Sequence, residues 1–155
     1  MAPPLNYSAE DNFGGISVRL ESEGLKGLRV RATPLDSLGL AVCHVITIDV
    51  EGFEAQVLRG AAETIRKHRP ILYVENDRQA RQQEVISLIA DMGYTLYWRL
   101  PPLFSAENFN SNSEDIFGSI VSINMLCLPT ERDGSAPGAT PIDPSNWTCL
   151  VQLSR

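Results

Sequence analysis

Apolar and polar positions divide the chain into short blocks whose period changes along its length. Ile16–Leu20 and Leu28–Thr33 alternate apolar with polar or charged residues, the period of half-exposed strands. Ser22–Gly27, between them, carries the turn residues Gly24 and Gly27. Pro34 breaks the second run, and Leu35–Leu40 reads as a short turn or helix leading into the strand Cys43–Asp49. In that strand Val45, Ile46, Ile48 and Val50 form a nearly continuous apolar run, as expected of a strand buried on both faces in a parallel sheet. Phe53–His68 then carries Phe53, Val57, Leu58, Ala61, Ala62 and Ile65 on one side of a helix. It ends in the basic cluster Arg66, Lys67, His68 and Arg69, which the helix dipole favours, and Pro70 stops it.

Ile71–Val74 is a second short buried strand that runs into Glu75, Asn76 and Asp77. A second helix spans about Gln79 to Met92 through Val85, Ile86, Ile89 and Met92, closed by Gly93. Tyr94–Leu100 is a third strand, with Thr95, Tyr97 and Arg99 alternating against Tyr94, Leu96 and Trp98. Pro101–Gly118 is a polar loop long enough to suggest a function. Ser119–Leu128 is a final strand, and Thr130–Arg155 is a Pro/Gly-rich tail with a weakly apolar end. The alternation of strands and helices from Cys43 predicts an α/β fold, a mainly parallel sheet with an antiparallel hairpin at its C-terminal edge.

Composition bounds this picture. A chain of 155 residues has room for one domain with a real core. Apolar content of 43% and charged content of 21% are ordinary for a globular protein. A net charge of −6 argues against a nucleic-acid or membrane-surface binder, since either wants a basic face. No run approaches the ~20 apolar residues that span a bilayer. The start, MAPPLNYSAED, lacks the basic and apolar regions of a signal peptide and reads as poorly ordered. Cys43, Cys127 and Cys149 have no zinc spacing, and the expectation is a reduced, cytoplasmic protein.

The candidate chemistry gathers where the strands end. Asp49, Glu51 and Glu54 surround Gly52 directly after the first apolar strand, at the edge where open α/β sheets bind ligands. One of them is also placed to cap the helix beginning near Phe53. Glu75 ends the neighbouring strand and projects toward the same crevice, whereas Asp77 suits the N-cap of the next helix. Asn124 is polar within an apolar strand, and Trp98, Phe104 and Phe109 suit either an acceptor pocket or the core. His44 and His68 read as structural. A divalent-metal site built from Asp49, Glu51, Glu54 and Glu75 is an alternative in a different class, because hard cations take clustered carboxylates.

Taken together, TPLDSL at Thr33–Leu38, IDVEGFEAQVLRGA at Ile48–Ala61, RPILYVEN at Arg69–Asn76 and GYTLYW at Gly93–Trp98 carry a resemblance. So do NFGGISV at Asn12–Val18, NF at Asn108–Phe109, IFG at Ile116–Gly118 and SINMLCLP at Ser122–Pro129. In this order the chain resembles the FkbM-type family of S-adenosylmethionine-dependent methyltransferases over residues 12–129, with 1–11 a disordered start and 130–155 a tail. The resemblance implies a partial Rossmann-like class I methyltransferase sheet, its parallel core followed by antiparallel C-terminal strands. It implies S-adenosylmethionine as cofactor and a small-molecule or glycan hydroxyl as acceptor. Asp49 and Glu51 are then the candidate catalytic groups, with Glu75, Asn124 and Trp98 as candidate acceptor contacts.

In this fold the cofactor is held by a glycine-rich loop and an acidic residue upstream of the NFGG segment. Only eleven residues precede Asn12, and Gly14-Gly15 leads into a strand-like run instead of opening a helix. The chain is therefore expected to correspond to the C-terminal half to two-thirds of such an enzyme, and no cofactor-binding residue is assigned. The competing expectation is a non-catalytic remnant or partner-dependent subunit, self-associating through an unpaired sheet edge.

Overall fold

The computed structural model describes residue 8 and residues 27–118, 120–132, 134 and 136–147. The expected strand Ile16–Leu20, the Asn12–Val18 segment, the start expected to be disordered apart from Ser8, and the turn expected over Ser22–Gly27 apart from Gly27 lie outside the described residues.

Among the described residues five strands form one sheet: β1 (Val45–Ile48), β2 (Ile71–Glu75), β3 (Tyr94–Arg99), β4 (Asn124–Pro129) and β5 (Thr140–Pro141). Their order is β1-β2-β4-β3-β5. β1 and β2 are parallel, with Val45 opposite Ile71 and Ile48 opposite Val74. β4 runs antiparallel to both β2 and β3, and β5 antiparallel to β3. The expected fold class, a parallel core followed by antiparallel C-terminal strands, is the observed one. The antiparallel pair β3–β4 lies at the end of the sheet away from β1, joined to β2 through β4 and flanked by the two-residue β5. The residues of β4 justify a central position: Met125 and Cys127 are fully buried, in register with Val74 and Leu72 on one side and Trp98 and Leu96 on the other.

Among the described residues, three α-helices, α1 (Glu54–Gly60), α2 (Ala62–His68) and α3 (Gln79–Asp91), accompany the sheet. The single helix expected over Phe53–His68 breaks at Ala61, where φ is −117° and ψ is 6°. A distant segment explains the break. Asp36, in the 3₁₀ turn Leu35–Leu38, accepts the N–H groups of Glu63 at 3.0 Å and Thr64 at 2.8 Å, and so caps a restarted helix. Gly60 gives this segment room, since a Cβ there would meet Pro34 at 3.4 Å. α3 packs on β3 and against α1, and its Val85, Ile86 and Ile89 are fully buried with Leu58, Ile65, Leu72, Val74 and Leu96. Arg69 ties the far end of this layer: it donates to the carbonyls of Met92 (2.7 Å) and Gly93 (2.8 Å), pairs with Glu131 and stacks on Tyr94.

Two expected strands change. Of Leu28–Thr33, only Leu28 makes an isolated bridge, and Leu28 and Val30 are 67% and 53% exposed. Alternation gives a strand a face but does not supply a partner. β1, expected to be buried on both faces, is an edge strand among the described residues; Val45 is 57% exposed and only Ile48 is buried. Within 130–155, the tail contributes β5 and the buried Ile142, with Trp147 packed against the core.

Candidate functional site

Pleating sorts the side chains into two faces. Leu72, Cys127 and Leu96 form one row and Val74, Met125 and Trp98 the next, both on the core face. Residues one step along each strand face the other way. Glu75, Asn124 and Arg99 are Cα partners across β2, β4 and β3 and form a row on the opposite face, and Asp49, the residue after β1, continues it. All of this lies at the carboxyl ends of β1, β2 and β3.

Asp49, Glu51 and Glu75 come together there, each offering a carboxylate oxygen, with these oxygens within 4.8 Å of one another. Glu51 owes its place to an unusual turn. Its φ is 52° and that of Gly52 is 95°, two successive positive values that reverse the chain between β1 and α1. A non-glycine residue in this region costs about 1–2 kcal/mol and persists where its surroundings hold it. Glu54, 4% exposed, supplies part of that hold: its Oε1 accepts the Gly52 N–H at 2.8 Å. Glu54 thus serves the turn, and the four-carboxylate metal alternative loses one member.

No heavy atom lies within 4 Å of a Cβ built on Gly52, so any cost of replacing it comes from the backbone alone. Gly52→Ala is expected to destabilise the fold by about 1–2 kcal/mol, read from the urea midpoint.

Burial pushes the Glu75 carboxyl up to about 7, aided by its hydrogen bond to Asp49 and by the charges of Asp49, Asp77 and Glu51. The folded value lies above the free value of 4.5, so the folded chain holds the extra proton. This contribution to stability is complete below about 4.5 and is lost as pH rises through about 7. Urea midpoints should decline across that window, with a shallower decline in Glu75→Gln.

The remaining candidates divide. Asn124 is 8% exposed, sits opposite Glu75 and donates to the Ser122 hydroxyl at 2.8 Å. Trp98, 3% exposed, belongs to the core face and is not brought to the carboxylates. Phe109 is fully exposed and Phe104 half-buried. Asp77 does not cap α3; the N-cap is Arg78, without a side-chain cap bond, and Asp77 pairs with Arg78 at 3.4 Å.

Two residues at this site carry no role in the sequence reading. Arg78 is ion-paired with Glu51, and Arg81 donates to the Gly52 carbonyl at 2.7 Å. The available signal was their position, two arginines at the start of a helix, where the dipole disfavours cations.

A family model described as the methyltransferase FkbM domain matches residues 2–96. Asp49, Glu51, Glu75, Arg78 and Arg81 fall within the match. No curated protein and no solved structure matches the chain. Among the described residues, no helix is long and apolar enough to cross a membrane.

Proposed function

Because the chain belongs to the FkbM methyltransferase domain family, we propose that it transfers a methyl group from S-adenosylmethionine to a hydroxyl oxygen of a small molecule or glycan. The observation that carries this reading is the meeting of Asp49, Glu51 and Glu75 at the carboxyl ends of β1 and β2, inside the matched span. S-adenosylmethionine, when bound, supplies an electrophilic methyl on a cationic sulfonium, and a carboxylate-lined edge fits a cation.

The protein's part is to align the acceptor oxygen, exclude water and take a proton. S-adenosylmethionine would supply the methyl carbon and keep the carbon–sulfur electron pair on its sulfur, so the chain's own task is the acceptor's proton. The hydroxyl proton passes to Asp49. Asp49 is assigned this role from its place directly after β1, beside Glu51 and Glu75 at the strand ends. Glu51, fixed by Arg78, orients the acceptor hydroxyl, and Glu75 and Asn124, neighbours across β2 and β4, are placed for further hydroxyl contacts.

The test is transfer of label from methyl-labelled S-adenosylmethionine to a panel of monosaccharides, oligosaccharides and hydroxylated lactones. The reading expects label in at least one hydroxyl compound. Label in none of them, from a folded chain, counts against it.

A second reading rests on β1. Val45 at its edge and Val42 just before it are 57% and 61% exposed, and β1 has one strand neighbour among the described residues. Such an edge suits a subunit that associates with a second copy. Sedimentation of the purified chain distinguishes a monomer from that assembly.

A further inference from the structure

Both polar backbone groups of Gly52 are held by side chains. Its N–H goes to Glu54 Oε1 at 2.8 Å and its carbonyl to Arg81 Nη1 at 2.7 Å. The first of these bonds is local. The second comes from α3, 29 residues further along the chain, and Arg78 at the head of the same helix pairs with Glu51. Neither arginine serves its own helix, because the amino end of a helix disfavours a cation. What they do serve is the turn, which places Glu51 at a positive φ beside two other carboxylates. Both the backbone conformation and the mutual repulsion of the carboxylates oppose that placement, so it needs an external hold.

We propose that Arg81, assisted by Arg78, is a positioning residue: it pins the Glu51–Gly52 turn and thereby keeps the Glu51 carboxylate in register with Asp49 and Glu75. Its consequence for catalysis rests on the methyltransferase reading; the clamp itself does not. A guanidinium donates to a carbonyl in fixed geometry, and an ammonium retains a donor at similar reach. Glutamine also carries an N–H donor but ends two bonds short of the guanidinium nitrogen, so the lysine variant should preserve what the shorter one loses.

The experiment is amide hydrogen exchange of the full chain, read by NMR, in wild type, Arg81→Gln and Arg81→Lys. Arg81→Gln should speed exchange at the Gly52 amide at least about tenfold, with the amides of Leu72 and Ile86 unchanged. Arg81→Lys should restore most of the protection. Unchanged exchange at Gly52 in Arg81→Gln would overturn the proposal. So would faster exchange spread evenly over the core, which would make Arg81 a general support of the fold. In the methyl-transfer assay, Arg81→Gln should lower kcat about tenfold and leave the KM for S-adenosylmethionine within about twofold. Failure of the wild-type chain to bind S-adenosylhomocysteine would instead remove the methyltransferase reading, with the exchange result still deciding the clamp.

Discussion

Asp49→Asn is expected to lower kcat for methyl transfer by about 10²–10⁴, the usual contribution of a positioned base. Asparagine keeps the size and the hydrogen-bonding oxygen of the side chain but cannot take the acceptor's proton. The same variant carries a second signature that needs no acceptor. Burial, then the hydrogen bond and charge of Asp49, hold the Glu75 carboxyl up at about 7. With Asp49 neutral, part of that elevation goes, and the Glu75 midpoint should move down toward the ordinary carboxylate range. Initial rates with labelled donor and a carbon-13 titration of the glutamate carboxyls check the two halves. A variant as fast as wild type would remove Asp49 as the base, whatever Glu75 does.

Leu72→Ala should cost about 2–5 kcal/mol, the range for emptying a well-packed core site. Leu72 is fully buried on β2, between Ile46 of β1 and Cys127 of β4. Neither neighbour is free to collapse into the space, because both are fixed by the ladder. Val45→Ala, on the exposed edge of the same sheet, should stay within about 0.5 kcal/mol. Urea denaturation of both variants measures the contrast. Comparable losses would contradict a sheet in which β2 is interior and β1 lies at the edge of the described strands.

The same contrast separates what the sequence discloses from what it does not. Strand ends and their acids are local features, and a run such as VITIDVEG shows both the strand and the carboxylates beyond it. The meeting of Asp49 and Glu75 followed from the rule that parallel strands finish at one edge. The core orientation of Trp98 was also within reach, since Tyr94, Leu96 and Trp98 alternate against Thr95, Tyr97 and Arg99 and form the more apolar face. Pairing across long separations was not. The return of the chain through Pro101–Ser122 to insert β4 beside β2 has no local mark, and neither does the break at Ala61. That break depends on Asp36 capping a helix 27 residues further along. Arg81 belongs to the same class: its partner, the Gly52 carbonyl, lies 29 residues away and is a backbone group that no sequence pattern displays. Leu28–Thr33 erred the other way, a good local pattern without a neighbouring strand among the described residues beyond one bridge.

The most direct measurement is an NMR titration of the labelled chain with S-adenosylhomocysteine. The proposed function expects saturable one-site binding, with shift changes concentrated at Asp49–Gly52 and Glu75–Asp77. A folded chain that shows no saturable change, or whose changes fall away from these two strand ends, would contradict it.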